Sequence, residues 1–239
     1  LEQLLHHVAA LRAAVDDGRQ QFSDFAIFYR VNSMSRQLEM ALSRWGVPFQ
    51  VIAGVAFYER AEVKDLLAYL RLVENPSDDA AFNRIVNKPP RKIGRVTRSR
   101  LVAWAGEQRL NLLEAAGRAA ELPELKRQPV AALERFASMM QEFSLADAGS
   151  VETLLQRVIE RTGYMAGWGT ARTEQEIERR AVVEELVSAA RQYDAAAGDE
   201  RRLGEFLETT SLVADTDALD PDAGTVTLMT LHAAKGLEF

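Results

Sequence analysis

The chain has 239 residues, no cysteine and only three histidines. Without cysteine it can form neither a disulfide nor a thiolate metal site, and metal binding by the chain itself is not expected. No apolar run approaches the roughly 20 residues of a membrane span. The first residues, LEQLLHHVAALRAAVDDG, form an amphipathic helix pattern without the character of a signal peptide, so a soluble intracellular protein with no membrane partner is expected. The motif G-x-x-x-x-G-K-[ST] is absent, and no glycine is followed by lysine anywhere. The chain therefore has no loop to cradle β- and γ-phosphates or to place Mg²⁺, and no ATP turnover is expected from it in isolation. A formal charge of −6 argues against a protein that simply coats DNA, although the distribution of charge matters more than its sum.

What is present is ordinary globular material, 47% hydrophobic and 27% charged, enough for one large domain or two modest ones. Leu4, Leu5, Val8, Leu11 and Val15 recur at helical spacing and Gly18 is a stop signal. His6 and His7 are adjacent on that helix, about 100° apart, and read as two solvated side chains. FAIFYRV, from Phe25 to Val31, is too short for a helix and reads as a buried strand. Ser33 or Ser35 can cap the helix that follows, which carries Leu38, Leu42 and Trp45 and ends at Gly46. A second strand runs from Pro48 to Ile52, giving a βαβ pattern and hence a parallel sheet covered by helix. Val63, Leu66, Leu67, Leu70 and Val73 form the next amphipathic helix, which stops near Pro76.

From there to Thr225 strand signals disappear. Helices are predicted over 79–87, 95–108, 111–120, 129–143, 151–162, 173–194 and 200–210. Within them VVEEL, Val182 to Leu186, reads as a solvated face. ADTDALDPDAG, Ala214 to Gly224, reads as an exposed connector. Val226, Leu228 and Leu231 then mark another buried strand, followed by Thr230, His232, Lys235, Gly236 and Glu238, polar groups at the end where open α/β sheets bind ligands. The expected architecture is an α/β domain over 1–75, interrupted by a helical insertion over 76–224 and resumed at 225–239, so the chain is mostly helical overall.

Two segments carry a family resemblance. VTLMTLHAAKGLEF, Val226 to Phe239, resembles motif V of the superfamily 1A DNA helicases of the UvrD, PcrA and Rep type, and AIFYRVNSMSRQLEMAL, Ala26 to Leu42, resembles their motif IV. The resemblance implies a partial RecA-like P-loop NTPase domain, called 2A, split by an all-α domain called 2B. It further implies that Tyr29 stacks on adenine, that Arg30 touches the terminal phosphate as a catalytic group, and that Glu238 contacts the nucleotide sugar; without the resemblance, Tyr29 and Arg30 read as a core tyrosine and a surface arginine. Thr230, His232 and Lys235 would face single-stranded DNA, while Gly236 lets the backbone approach a phosphate. His232 and Glu238 also read as groups that fix the turn by hydrogen bonds.

PFQVIAGVAFYER, Pro48 to Arg60, is similar to a family segment with paired glycines, the first replaced here by Ala53. Its Tyr58 and Arg60 read equally as contacts to the translocating strand or, for Tyr58, as core. Lys88, Arg91, Lys92, Arg95, Arg98 and Arg100 form a basic run without an acidic residue. It contains PRKIGRVT, which resembles the 2B motif where a glycine-containing loop meets a helix start on duplex DNA, and implicates Arg91, Lys92, Gly94, Arg95 and Thr97 in phosphate contact. Family members commonly have glycine where this chain has Lys92.

The function so implied is part of an ATP-dependent 3′ to 5′ DNA helicase, working in repair or replication in the bacterial cytosol or nucleoid. Its ligands would be ATP with Mg²⁺ and single-stranded and duplex DNA, and its partners domains 1A and 1B and repair or replication proteins. The Mg²⁺ ligands are expected outside this stretch. The alternatives are a non-catalytic DNA-binding or regulatory module derived from a helicase, or the helicase portion of a helicase-nuclease.

Overall fold

A computed structural model of the chain describes residues 2–18, 20–31, 34–52, 56–123, 125–145, 149–166, 173–198, 202–214 and 224–234. In order, the elements are α1 (Glu2–Asp16), β1 (Ala26–Tyr29), α2 (Ser35–Arg44), β2 (Phe49–Val51), α3 (Ala61–Glu74), α4 (Asp79–Ile85) and α5 (Arg95–Gln108). They continue with α6 (Leu112–Gly117), α7 (Arg127–Leu145), α8 (Val151–Thr162), α9 (Glu174–Ala197), α10 (Leu203–Ala214), β3 (Val226–Thr230) and α11 (Leu231–Ala234). Among the described residues no helix is long and apolar enough to cross a membrane.

The chain forms two compact units. The first comprises Leu1–Val63, Arg172–Glu185 and Glu208–Phe239, and the second Lys64–Ala171 and Leu186–Leu207. The first therefore includes the opening half of α9, drawn from within the stretch read as an insertion.

In the first unit the three strands are all parallel and lie in the order β1-β3-β2. The βαβ pattern is present, but β1 and β2 are not neighbours: β3, some 175 residues later in the sequence, lies between them and pairs with both. That central place explains the burial of Val226, Leu228 and Met229 together, because a middle strand is covered on both faces. Leu231 is not in the strand; it opens α11 and is 59% exposed. Val8 and Leu11 of α1 and Ala41 and Leu42 of α2 pack with Phe22, Val47, Phe49, Val226 and Leu228 into one core. Helix ends are set by glycines in the left-handed region. Gly18 has φ +68° and donates to Val15 O, while Gly46 has φ +60° and donates to Ser43 O. Ser35 does not cap α2. It is the first residue of the helix, after Met34, and its buried hydroxyl is used elsewhere.

The second unit is helical among its described residues. Its core gathers Leu66, Leu70, Phe82, Leu101, Leu133 and Phe136, with the Phe82 ring edge-on to Phe136 at 5.5 Å. Helix starts are capped as their sequences suggest. Asp78 accepts from Ala81 N–H, Asn111 forms a reciprocal capping box with Glu114, and Ser150 accepts from Thr153 N–H. The buried Asp194 carboxylate accepts from the N–H groups of Val151 and Glu152 at the start of α8. Helices α5 and α8 span the residues their periodicity predicts.

Candidate functional site

Because β1 and β3 are parallel and in register, Tyr29 stands opposite Thr230 at their carboxyl ends. Two residues about 200 positions apart in sequence are thereby placed side by side on the edge where a parallel sheet presents ligand-binding groups. Arg30 follows directly and is exposed. Tyr29 is only 4% exposed and its hydroxyl, within the buried interior, has no hydrogen-bond partner. Burial pushes its pKa up, opposed in part by the positive charge of Arg60. Lys235, Gly236 and Glu238, and the side chain of His232, lie outside the described residues, as do Ser33, Ala53, Gly54 and the connector over 215–223.

Beside this edge lies a buried polar cluster that periodicity did not disclose. Ser35, Arg36 and Glu39 on α2 are all within 1% of complete burial. The Glu39 carboxylate accepts the Phe57 backbone N–H through both oxygens, at 2.9 and 3.1 Å. The Arg60 guanidinium donates to Ser35 Oγ at 3.1 Å and lies 5.9 Å from the centre of the Phe57 ring. Arg36 Nε donates to Glu185 Oε1 at 2.6 Å, so VVEEL is not a wholly solvated face: Glu185 reaches inward while Glu184 pairs with Arg180 outside. A second ion pair joins Arg179 to Glu62 at 3.1 Å. Tyr58 and Arg60 are thus interior groups, 6% and 9% exposed. Burial raises the Tyr58 pKa, against the lowering influence of Arg36, and burial lowers that of Arg60, against Glu39. Within α2 the polar residues Ser35 and Glu39 sit four apart on one face, the one sequence signal that could have marked this cluster.

In the second unit, the segment between α4 and α5 is a braced loop. Asn87 Oδ1 accepts from the N–H groups of Arg91 and Ile93, at 2.7 and 3.1 Å, and Ile93 is fully buried. The Arg91 guanidinium points inward, donating to the carbonyls of Ile85 and Lys88 and to the Tyr69 hydroxyl, and lying 5.2 Å from the Phe136 ring centre. Lys88 Nζ pairs with the buried carboxylate of Asp65 at 3.0 Å, and Arg84 and the Tyr164 hydroxyl reach the same carboxylate. Of the residues implicated in phosphate contact, Lys92, Gly94 and Arg95 are exposed and Thr97 is buried, and Arg100 of the same basic run is exposed as well. Gly94 is the N-cap of α5 and contributes no side-chain acceptor to the first-turn N–H groups. Two exposed cations thus stand beside the start of a helix. Lys92 holds φ +62°, which is why glycine suits this position. Among the described residues there is no cluster of three His, Asp or Glu that could hold a metal ion.

Comparison with known proteins agrees with this geometry. A profile of the UvrD-like helicase C-terminal domain matches residues 2–239. The ATP-dependent DNA helicase UvrD1 of Mycobacterium tuberculosis (strain H37Rv) is 39% identical over 234 residues, covering 91% of this chain and 30% of the relative. UvrD1 of Mycobacterium leprae is 34% identical, covering 95% of this chain and 32% of the relative. The ATP-dependent DNA helicase PcrA of Bacillus subtilis is 34% identical over 229 residues, covering 93% of this chain and 31% of that protein. The chain spans about a third of the length of these relatives, and it belongs to the UvrD-like helicase C-terminal domain family.

Proposed function

We propose that this chain is the part of an ATP-dependent DNA helicase that supplies one wall of the nucleotide cleft and the surfaces that hold DNA. The observation that carries the reading is the register of Tyr29 with Thr230, which sets the two motif segments side by side at the carboxyl edge of one parallel sheet. On this reading the first unit belongs to the split RecA-like domain 2A and the second to the helical domain 2B. The missing wall, the phosphate loop and the Mg²⁺ ligands come from domains 1A and 1B. ATP with Mg²⁺ supplies the phosphoanhydride whose hydrolysis drives the cycle. Arg30, exposed at the strand end, fits a phosphate oxygen, while Tyr29, buried in the core, backs the strand end and leaves no ring face for a base. Opening and closing the cleft steps the protein along one strand in the 3′ to 5′ direction. Thr230, His232 and Lys235 face that strand, while Lys92, Gly94 and Arg95 hold the phosphates of the duplex ahead without reading bases. The biological setting is DNA repair or replication in the bacterial cytosol.

In the full-length protein, Arg30→Ala should lower ATP turnover by about 100-fold or more while leaving affinity for single-stranded DNA unchanged, since one contact to developing phosphate charge is removed. Turnover is measured at saturating DNA. Normal turnover with lost DNA binding would place Arg30 on the other ligand and overturn the assignment.

A further inference from the structure

A recess of about 390 Å³ opens on the second unit between α7, α8 and the loop that precedes α5. Three guanidiniums reach it from three elements: Arg91 from the loop, Arg135 from α7 and Arg161 from α8. Glu142 supplies the one carboxylate in its lining, so the recess is net positive in a chain of formal charge −6. The three cations are in different states. Arg91 is committed to backbone carbonyls and the Tyr69 hydroxyl. Arg161 grips Glu142, donating to Oε2 through Nε and Nη2 at 3.1 Å, with both side chains more than half exposed. Arg135 is exposed and has neither a hydrogen bond nor an ion pair among the described residues. On α7 the residues Arg135, Met139 and Glu142 follow one another at spacings of four and three, which sets the half-buried Met139 between the two charges on one stripe of the helix.

The recess thus already shows how it takes a carboxylate, at its own Arg161. That exposed pair contributes little to stability, so an incoming carboxylate displaces Glu142 at small cost, and a second one has Arg135 to meet. The lining decides between polyanions. Single strands are held by bases stacked on aromatic faces, and Phe136, 1% exposed and covered by Phe82 and Arg91, presents none. A duplex offers a row of phosphates and no apolar group to enter a hollow. Arginine and methionine without lysine is instead the composition of protein-recognition patches. A flexible thioether also adapts to apolar side chains of varied shape. We propose that this recess is a docking site for an acidic segment of a partner protein, with one apolar side chain seated against Met139 and flanking carboxylates on Arg135 and Arg161. It does not depend on the assignment of the nucleotide or duplex contacts.

The experiment uses the full-length protein and a fluorescein-labelled peptide with one phenylalanine between runs of aspartate, titrated by fluorescence anisotropy. The parent should bind it saturably, with a Kd below about 100 μM. Alanine in place of the phenylalanine should weaken binding about tenfold, the size of one buried apolar side chain, and asparagine in place of the aspartates should abolish it. Arg135 and Glu142 are exposed, so variants there keep the fold. Arg135→Glu should weaken binding about tenfold or more. Glu142→Gln, which frees Arg161, should strengthen it about threefold. Lys92→Ala should leave it within about twofold, because the loop surface is not the site. Equal affinity for the phenylalanine and alanine peptides would reduce the recess to general attraction between charges and overturn the proposal. So would an unchanged affinity in Arg135→Glu, a weaker one in Glu142→Gln, or no saturable binding at all. A single-stranded or duplex oligonucleotide that displaces the peptide from the parent and itself loses affinity in Arg135→Glu would give the recess to nucleic acid instead.

Discussion

The carboxyl edge of the sheet and the loop between α4 and α5 are built alike, each around an arginine turned inward. At the sheet edge Arg60 is consumed by Ser35 and the acidic groups of its cluster, and Arg30 is left outside. In the loop Arg91 is consumed by backbone carbonyls and Tyr69, and Lys92 and Arg95 are left outside. In each region one arginine is turned inward while a nearby cation stays exposed. The difference is what braces it. The sheet-edge cluster is carboxylate-rich, with Glu39, Glu178 and Glu185, whereas the inward Arg91 meets carbonyl oxygens and a phenol, which orient it without neutralising it. A positive loop suits polyanionic DNA.

The strongest way to break this comparison is to remove the carboxylate that anchors the loop from beneath. Asp65 is 4% exposed and binds Lys88, Arg84 and Tyr164. Asp65→Ala removes the acceptor of two charge-assisted contacts and the Tyr164 hydroxyl, while Lys88 and Arg84 remain partly solvated, so the second unit should lose about 2–3 kcal/mol in denaturant unfolding. A loss below about 1 kcal/mol would mean that the anchor is dispensable.

The division of labour within the loop can be tested one residue at a time. Arg91→Ala orphans several carbonyls and should cost about 2–3 kcal/mol of stability. Replacing both Lys92 and Arg95 by Ala should leave stability nearly unchanged. It should instead flatten the dependence of duplex affinity on salt, by about 1.8 in the slope of log affinity against log salt. Two unrelated duplexes should respond equally. An unchanged slope would make Lys92 and Arg95 a solvated face.

Alkali probes a buried phenol beside the loop. Burial, opposed by Arg91, pushes the Tyr69 phenol up to about 12 from a usual 10.0. Between those values the folded chain holds a proton that the unfolded chain has lost, so the contribution of Tyr69 is complete below pH 10 and disappears as pH rises toward 12. The stability advantage of the parent over Tyr69→Phe should therefore shrink from about pH 9 to about pH 11.5. A constant difference would mean that the phenol is not held neutral by its site.

Much of the helical fold was legible because periodicity acts locally: the ranges 95–108 and 151–162 expected from sequence are those of α5 and α8. The strand over Val226–Thr230 and its parallel pairing were legible from its apolar run and the βαβ pattern. Its place between β1 and β2 was not, because strand order is set by long-range packing that leaves no mark in a five-residue run. Nor was the inward turn of Arg36, Arg60 and Arg91. A charged residue reads as exposed until its partners are known, and these lie as far away as Glu185, 149 positions from Arg36. Leu231 failed in the opposite sense, an apolar residue left outside because the strand had already ended at Thr230.

The smallest expected effect is the most discriminating within the loop. Lys92 sits at φ +62°, where a side chain costs about 1 kcal/mol that glycine does not incur. Glycine also loses more freedom on folding, which returns part of that gain, so Lys92→Gly should stabilise the chain by about 0.5 kcal/mol net. Lys92→Ala keeps the strain and should stabilise nothing. Both remove one cation, and both should lower the salt slope of duplex binding by about 0.9. The pair thus separates backbone from charge at a single position: glycine and alanine should bind duplex alike and differ in unfolding midpoint, with glycine the higher. If alanine proved as stable as glycine, the left-handed backbone at Lys92 would carry no strain, and the preference for glycine there would need another cause.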